Sequence, residues 1–154
     1  MHVIIPMAGH SRRFKEAGFS GPKALLPVGD RPMIAHVVDM FAPDDQYHFV
    51  VNEEQCDEVS DLPDLLRSLA QRVTITVIPP HEAGPTHSAL QISGIDDNEE
   101  VIICYCDFIV SWDYARFLRH AKGHEGAIPS FRGFHPASFG DTLYAYMRVQ
   151  GDRM

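Results

Sequence analysis

Two cations near the start of the chain, Arg13 and Lys23, have the types and surroundings that phosphate binding requires. They lie in a loop that contains Gly9 and follows the apolar run Val3–Ile5. Backbone N–H groups in a loop of small residues can approach an anion closely. Arginine adds a planar fork and lysine a compact charge, so the two can hold different oxygens of a polyphosphate. We therefore expect Arg13 and Lys23 to contact phosphate, and we interpret Arg12 as a solvated cation.

A carboxylate in a comparable position could hold a metal ion. Asp107 directly follows the apolar segment Val101–Cys106. A single carboxylate suits Mg²⁺, which usually takes one or two carboxylates together with phosphate oxygens and waters. The alternative is a turn or helix-cap role for Asp107. His10, His81 and His87 lie in loops, but none has metal-ligand spacing to a partner.

Strand-like and helix-like segments alternate along the chain and must position these residues. The predicted strands are Val3–Met7, Tyr47–Val51, Val73–Ile78, Val101–Cys106, Ala127–Phe131 and Thr142–Val149. The predicted helices are Pro32–Phe41, Glu53–Val59, Pro63–Gln71, one beginning near Pro85 and one ending at Lys122. This alternation predicts an α/β fold, a three-layer sandwich with a mostly parallel sheet.

Ligands of such sheets bind outside the carboxyl ends of the strands. Three segments are predicted to lie at that edge. They are the loop Gly9–Lys23, the loop Gly84–Ser88 and Asp107. The sequence therefore predicts one ligand site built from residues far apart in the chain.

Composition and charge limit the classes of partner. The chain has 154 residues, of which 45% are hydrophobic and 22% are charged, as in an ordinary globular domain. A formal net charge of -8 argues against nucleic acid. The positive charge is concentrated in residues 1–31, which hold five Lys or Arg and two acidic residues and so suit a small anion. Since no apolar run has the length of a membrane span and no signal peptide is visible, we expect no membrane partner and a cytoplasmic location.

Two further features are interpreted without chemistry. Cys104 and Cys106 would face the same side of a strand, and we interpret them as buried thiols, because zinc would need two more ligands. The acidic run Asp44–Asp64 contains no Lys or Arg and is interpreted as a solvated face.

The pattern of Ile5–Phe14, followed by Pro22–Val28 and Pro32–Ile34, resembles the N-terminal signature of the sugar-phosphate nucleotidyltransferases. These enzymes condense an NTP with a sugar 1-phosphate and release pyrophosphate. The resemblance is greatest to the branch associated with capsular and other surface polysaccharides, and it covers nearly the whole chain. Further matching segments are Gly84–Ala89, Cys106-Asp107, Gly133–Pro136 and Tyr144–Tyr146. The resemblance implies a nucleotide-diphospho-sugar transferase-like, Rossmann-like fold.

The resemblance also implies a role for each matching position. Arg13 would contact the β- and γ-phosphates, Lys23 the α-phosphate region, and Asp107 would hold Mg²⁺. The implied nucleotide-binding residues come from two loops: Ala8, Gly9, Ser11, Gly84, Thr86 and Ser88. The implied partners are therefore an NTP and a sugar 1-phosphate.

The chain departs from the family pattern in two respects. Ser11 stands where the family usually has glycine, and Arg12 where it usually has serine or threonine. The family's later Glu-Lys motif and its second metal-binding aspartate have no counterpart in residues 1–154. We therefore expect residues 1–154 to be one nucleotidyltransferase domain that is truncated at its C-terminus.

Other functions remain open from the sequence. An NTP–Mg²⁺-binding module without turnover would need the same loops. The molybdenum-cofactor nucleotidyltransferases share the Gly-x-Ser-x-Arg and Lys-x-Leu-Leu elements but usually lack the spacer Lys15–Gly21. A glycosyltransferase of similar architecture would usually carry an Asp-x-Asp motif, which Cys106-Asp107-Phe108 does not provide. The base, the sugar and the oligomeric state are not determined, so a homo-oligomer stays open.

Overall fold

The computed structural model describes residues 1–130, which contain two sheets. The strands are β1 (His2–Pro6), β2 (Pro27–Val28), β3 (Arg31–Pro32), β4 (Gln46–Asn52), β5 (Arg72–Ile78) and β6 (Val101–Ile103). The main sheet has the order β5-β4-β1-β6, and all its neighbouring strands are parallel. Strands β2 and β3 form a small antiparallel pair. The predicted α/β fold with a mostly parallel sheet is confirmed.

Short helices connect the strands. They are α1 (Arg12–Glu16), α2 (Met33–Val38), α3 (Glu53–Glu58), α4 (Leu62–Ser68), α5 (Pro85–Ala89) and α6 (Tyr114–Ala121), with a 3₁₀ turn at Lys23–Leu25. Helix α1 and the β2–β3 hairpin lie where the sequence predicts only a loop, because elements of two to five residues show no periodicity. No helix among residues 1–130 is long and apolar enough to cross a bilayer.

The chain divides into two compact units, Met1–Tyr114 and Ala115–Met154. The first contains both sheets and helices α1 to α5. Of the second, residues 115–130 are described, and they contain most of α6 and a turn. Residues 127–130 form no strand, although the sequence predicts one over Ala127–Phe131. The predicted strand Thr142–Val149 and the matching segments Gly133–Pro136 and Tyr144–Tyr146 lie outside the described residues.

Both faces of the main sheet carry buried apolar side chains. The larger cluster joins one face of β1 and β4 to α2 and α4 through Val3, Ile5, Tyr47, Phe49, Val51, Ile34, Val37, Leu62 and Leu66, all fully buried. On the opposite face Ala8, Val50 and Ile78 form a smaller cluster with Ile92, which follows α5. Strand β4 is thus buried on both faces, as expected for a central parallel strand, and this packing fixes the strand ends that carry the site.

Two neighbouring histidines, His2 at the start of β1 and His48 on β4, predict that the stability of the fold depends on pH. His48 on β4 is 5% exposed, its Nε2 lies 2.8 Å from Nδ1 of His2, and its Nδ1 has no hydrogen-bond partner among residues 1–130. Burial, and secondarily the charge of His2, lower the pKa of His48. A backbone hydrogen bond from Asp96 and a side-chain bond from His2 lower the pKa of Glu99. Both shifts make the folded state release protons that the unfolded state would hold.

We therefore expect the free energy of unfolding to fall between pH 7 and pH 5. The neutral His48 contributes stability above its unfolded pKa near 6.5, and this contribution is lost below that value at up to about 1.4 kcal/mol per pH unit. The Glu99 contribution is lost only at lower pH. Urea midpoints at both pH values measure the effect, and His48→Gln should reduce the pH dependence. Equal pH dependence in His48→Gln and the unmodified chain would contradict this account.

Candidate functional site

A cavity lies at the carboxyl ends of β1 and β6. Strands β4 and β5 follow β1 on one side of the sheet, and β6 then pairs with β1 on the other side. Such a change of direction opens a crevice between the two strand ends, where ligands of α/β sheets bind. The cavity has a volume of about 410 Å³, which is suitable for a small molecule. It is lined by Pro6–Arg12, Lys23, His81, Glu82, Gly84, Pro85, Ser88, Tyr105 and Cys106.

Ser11 joins the first loop to the segment that carries Lys23. Its Oγ accepts a hydrogen bond of 3.2 Å from the backbone N–H of Lys23. Ser11 is the only non-glycine residue among residues 1–130 with a positive φ, at 54°. A left-handed conformation costs a residue with a Cβ roughly 1–2 kcal/mol, so the surrounding contacts must hold it in place. The hydroxyl group, which a glycine would lack, therefore helps bring two distant segments to one cavity.

Lys23 and Asp107 are brought together, as their positions at the sheet edge predict. The Lys23 Nζ donates to Asp107 Oδ2 at 2.8 Å, and the two side chains are 29% and 31% exposed. Lys23 lines the cavity, whereas Asp107 is not among the lining residues but directly follows Cys106, which is. This pair could serve phosphate through the ammonium group and a metal ion through the carboxylate.

Asp107 could hold Mg²⁺ together with ligands that the chain itself does not supply. Among residues 1–130 no group of three or more His, Cys, Asp or Glu side chains is arranged to hold a metal ion. Asp107 therefore offers one carboxylate, and the remaining ligands would have to come from phosphate and water. That combination is the usual one for Mg²⁺ bound with a nucleotide.

The two arginines of the first loop occupy different positions. Arg12 lines the cavity and forms an ion pair with Glu82 of the opposite loop. Arg13 is exposed on α1 and does not line the cavity. Lys15 forms an ion pair of 3.1 Å with Glu58. Arg12 is solvated as interpreted, with 67% of its side chain exposed, but it also connects the two loops that border the cavity. The role of Arg13 stays a prediction.

The second loop places some of its predicted residues in the cavity. Gly84, which has a φ of 87°, and Ser88, which is 3% exposed, both line it. Thr86 is exposed and is not among the lining residues. His81 lies 2.9 Å from the Ser88 Oγ and fixes that hydroxyl group. From the sequence, His81 is expected to be no more than a polar loop group, although its place in a ligand loop was the available signal.

Two cysteines, Cys104 and Cys106, follow the end of β6. Both are free: Cys106 is buried in the larger apolar cluster, and Cys104 is partly buried and packs against it. Burial raises the pKa of each thiol to about 11, so both stay protonated at neutral pH. Burial of Cys106 agrees with the interpretation as buried thiols, whereas Cys104 is only partly buried and both lie beyond the strand that was expected to hold them.

Comparison with known proteins identifies the family. Residues 3–153 match the MobA-like NTP transferase domain, and the chain belongs to this family. The predicted membership of a nucleotidyltransferase family is confirmed at this level. None of the curated proteins compared with the chain matches it.

Two solved structures share the fold. The nucleoside-diphosphate-sugar pyrophosphorylase from Vibrio cholerae RC9 superposes with a TM-score of 0.53 and 20% identity, over 71% of this chain and 50% of that one. A UDP-glucose pyrophosphorylase complexed with UDP-glucose gives a TM-score of 0.50 and 18% identity, over 68% of this chain and 45% of that one. The chain therefore spans about half the length of these structures, and the likeness defines a nucleotidyltransferase-like fold.

Proposed function

We propose that this chain binds an NTP in the cavity between β1 and β6 and transfers its nucleotidyl group to the phosphate of a sugar 1-phosphate. The product would be a nucleotide sugar for surface polysaccharide biosynthesis. The observation that carries the proposal is the contact between Lys23 and Asp107 beside a loop of small residues. In a member of an NTP transferase family, this contact supplies a cation and a metal-binding carboxylate at one ligand site.

The reaction needs no covalent intermediate. A phosphate oxygen of the sugar 1-phosphate would attack the α-phosphorus, and the bond between that phosphorus and the α–β bridging oxygen would break. The electron pair would leave with pyrophosphate. Catalysis then depends on alignment and on stabilising negative charge.

The residues of the chain divide these tasks. Lys23 would stabilise charge at the α-phosphate, and Arg13 on α1 would contact the β- and γ-phosphates. Backbone groups of the first loop, at Ala8, Gly9 and Ser11, would line the nucleotide. The base and ribose would meet the second loop at Gly84, Thr86 and Ser88. A Mg²⁺ ion held by Asp107 would neutralise phosphate charge when bound.

A molybdenum-cofactor nucleotidyltransferase is the second candidate. The family to which the chain belongs is described as MobA-like, which favours this alternative. Its acceptor would be the phosphate of the cofactor precursor rather than of a sugar. An NTP-binding module without turnover would use the same cavity. A cytoplasmic location stays a prediction from the sequence.

Calorimetric titration with the four common NTPs tests the nucleotide site. We expect one NTP to bind, and to bind more tightly with Mg²⁺ than without it. Asp107→Asn should remove most of the Mg²⁺ dependence, whereas Asp64→Asn, at a side chain that is 85% exposed, should leave it unchanged. A folded sample that binds none of the NTPs would overturn the proposal.

A pyrophosphate-release assay tests the acceptor. The bound NTP is offered with a panel of sugar 1-phosphates and, separately, with the molybdenum-cofactor precursor. Release with a sugar 1-phosphate supports the main proposal, and release with only the cofactor precursor supports the alternative. Tight NTP binding without release with any acceptor would favour the binding module.

A further inference from the structure

Two buried carboxamide side chains, Asn52 and Gln55, lie beneath the first loop. Asn52 ends β4 and is 1% exposed, and Gln55 in the first turn of α3 is 5% exposed. The Asn52 Oδ1 accepts from the backbone N–H of Gln55 at 2.8 Å, and the Gln55 Oε1 accepts from the backbone N–H of Asn52 at 3.0 Å. The two oxygens are therefore used in a reciprocal cap at the start of α3.

The NH₂ groups of the same two side chains donate hydrogen bonds to the first loop. The Asn52 Nδ2 donates to the carbonyl of Ala8 at 2.8 Å. The Gln55 Nε2 donates to the carbonyl of Met7 at 2.8 Å and to that of Gly9 at 3.3 Å. Three consecutive carbonyl groups of the cavity wall are thus bonded to two side chains that solvent does not reach.

These hydrogen bonds to the carbonyl groups also determine the direction of the N–H group in each of the three peptides. In a trans peptide the carbonyl and the following N–H point in opposite directions, and the structure contains no cis peptide bond among its described residues. With the carbonyls of Met7, Ala8 and Gly9 held against Asn52 and Gln55, the N–H groups of the next residues are directed away from those side chains. A phosphate is attracted by N–H groups and repelled by carbonyl oxygens.

We propose that Asn52 and Gln55 are positioning residues that orient the peptide groups of residues 7–10 toward phosphate. The inference rests on the proposed function, because it takes the cavity to be the triphosphate site. A carboxamide accepts from the helix cap through its oxygen and donates to the loop through its NH₂ group at the same time. Asp or Glu of the same size could still accept, but an ionised carboxylate has no proton to donate.

The isosteric variants Asn52→Asp and Gln55→Glu test this role, since each keeps its cap acceptor and loses its bonds to the loop. We expect each to weaken binding of inorganic tripolyphosphate by about tenfold or more. In ¹H–¹⁵N spectra, the amide signals of Ala8, Gly9 and His10 should shift on adding tripolyphosphate to the unmodified chain and shift much less in the variants. Glu53→Gln, on the same turn of α3, is the matched control and should bind normally.

Acid should restore binding in Gln55→Glu, because a protonated carboxyl regains one donor. Gln55→Met removes the donor without adding charge and repeats the test should the carboxylate variants not fold. Unchanged affinity in the folded variants would overturn the inference while leaving the proposed function intact. Failure of the unmodified chain to bind tripolyphosphate or any NTP would instead overturn the proposed function.

Discussion

Replacing Lys23 by alanine is expected to weaken binding of the NTP by about 10- to 150-fold. A hydrogen bond to a charged group contributes about 1.5–3 kcal/mol, and each 1.4 kcal/mol corresponds to a factor of ten. Two changes act together at this position. The ammonium group is lost, and the Asp107 carboxylate, 2.8 Å from it in the unmodified chain, is left beside the phosphates without its cation. Calorimetric titration with the NTP measures the change.

Stability should change little in Lys23→Ala. The pair with Asp107 is about one-third exposed, and such ion pairs typically contribute about 1 kcal/mol or less. Lys15→Ala is the matched control, because Lys15 also pairs with a carboxylate but lies outside the cavity wall. If Lys23→Ala and Lys15→Ala bind the NTP with the same affinity, Lys23 does not contact phosphate.

The same titration distinguishes the two arginines. The sequence-based expectation is that Arg13→Ala weakens NTP binding more than Arg12→Ala. The structure favours the opposite result, a larger loss of NTP binding in Arg12→Ala, because Arg12 lines the cavity and pairs with Glu82. If Arg12→Ala proves as damaging as Arg13→Ala, the alignment of this loop with the family signature is wrong by one residue.

Replacing Phe49 by alanine is expected to lower the free energy of unfolding by about 3–5 kcal/mol. Phe49 is fully buried at the middle of β4, and its ring is stacked against Tyr47 with centroids 6.3 Å apart. Truncation removes apolar contacts and leaves a cavity in the larger cluster, which connects the sheet to α2 and α4. A change of this size is a large part of the total stability of a typical domain.

Urea unfolding followed by circular dichroism measures the effect. Phe108→Ala is the control, because that side chain is 53% exposed, and a surface substitution usually changes stability by about 0.5 kcal/mol or less. A Phe49→Ala variant whose stability lies within about 1 kcal/mol of the unmodified chain would show that β4 is not central to the core.

The main sheet could be predicted from the sequence because its strands are short, apolar and rich in β-branched residues. Val3–Met7, Tyr47–Val51 and Val73–Ile78 correspond to β1, β4 and β5 to within one or two residues. Strands β1 and β4 are buried on both faces, which requires such mainly apolar runs, whereas the edge strand β5 alternates apolar residues with threonine. Strand β6 ends at Ile103, earlier than predicted, because apolar composition alone does not show where pairing with β1 stops.

The meeting of Lys23 and Asp107 was also foreseeable. Lys23 lies in the loop after the first predicted strand, and Asp107 directly follows the fourth. The carboxyl ends of parallel strands share one edge of the sheet. The acidic run was interpreted less well. Asp45 is 5% exposed and accepts from the Tyr114 hydroxyl at 2.8 Å, and Glu58 accepts from the Gly21 N–H at 3.0 Å. Composition cannot distinguish a solvated carboxylate from one that a distant segment contacts.

The sequence by itself determined the fold class, the family and the loop that bears the cations, since local pattern and motif spacing encode them. Only the tertiary structure decided which polar side chains support that loop. Asn52 and Gln55 are 44 or more residues from the carbonyls that they hold, and in the sequence they indicate no more than the start of a helix. Their second role depends on the parallel register that places β4 beside β1, and hydrogen bonds across such separations follow from packing rather than from any local pattern.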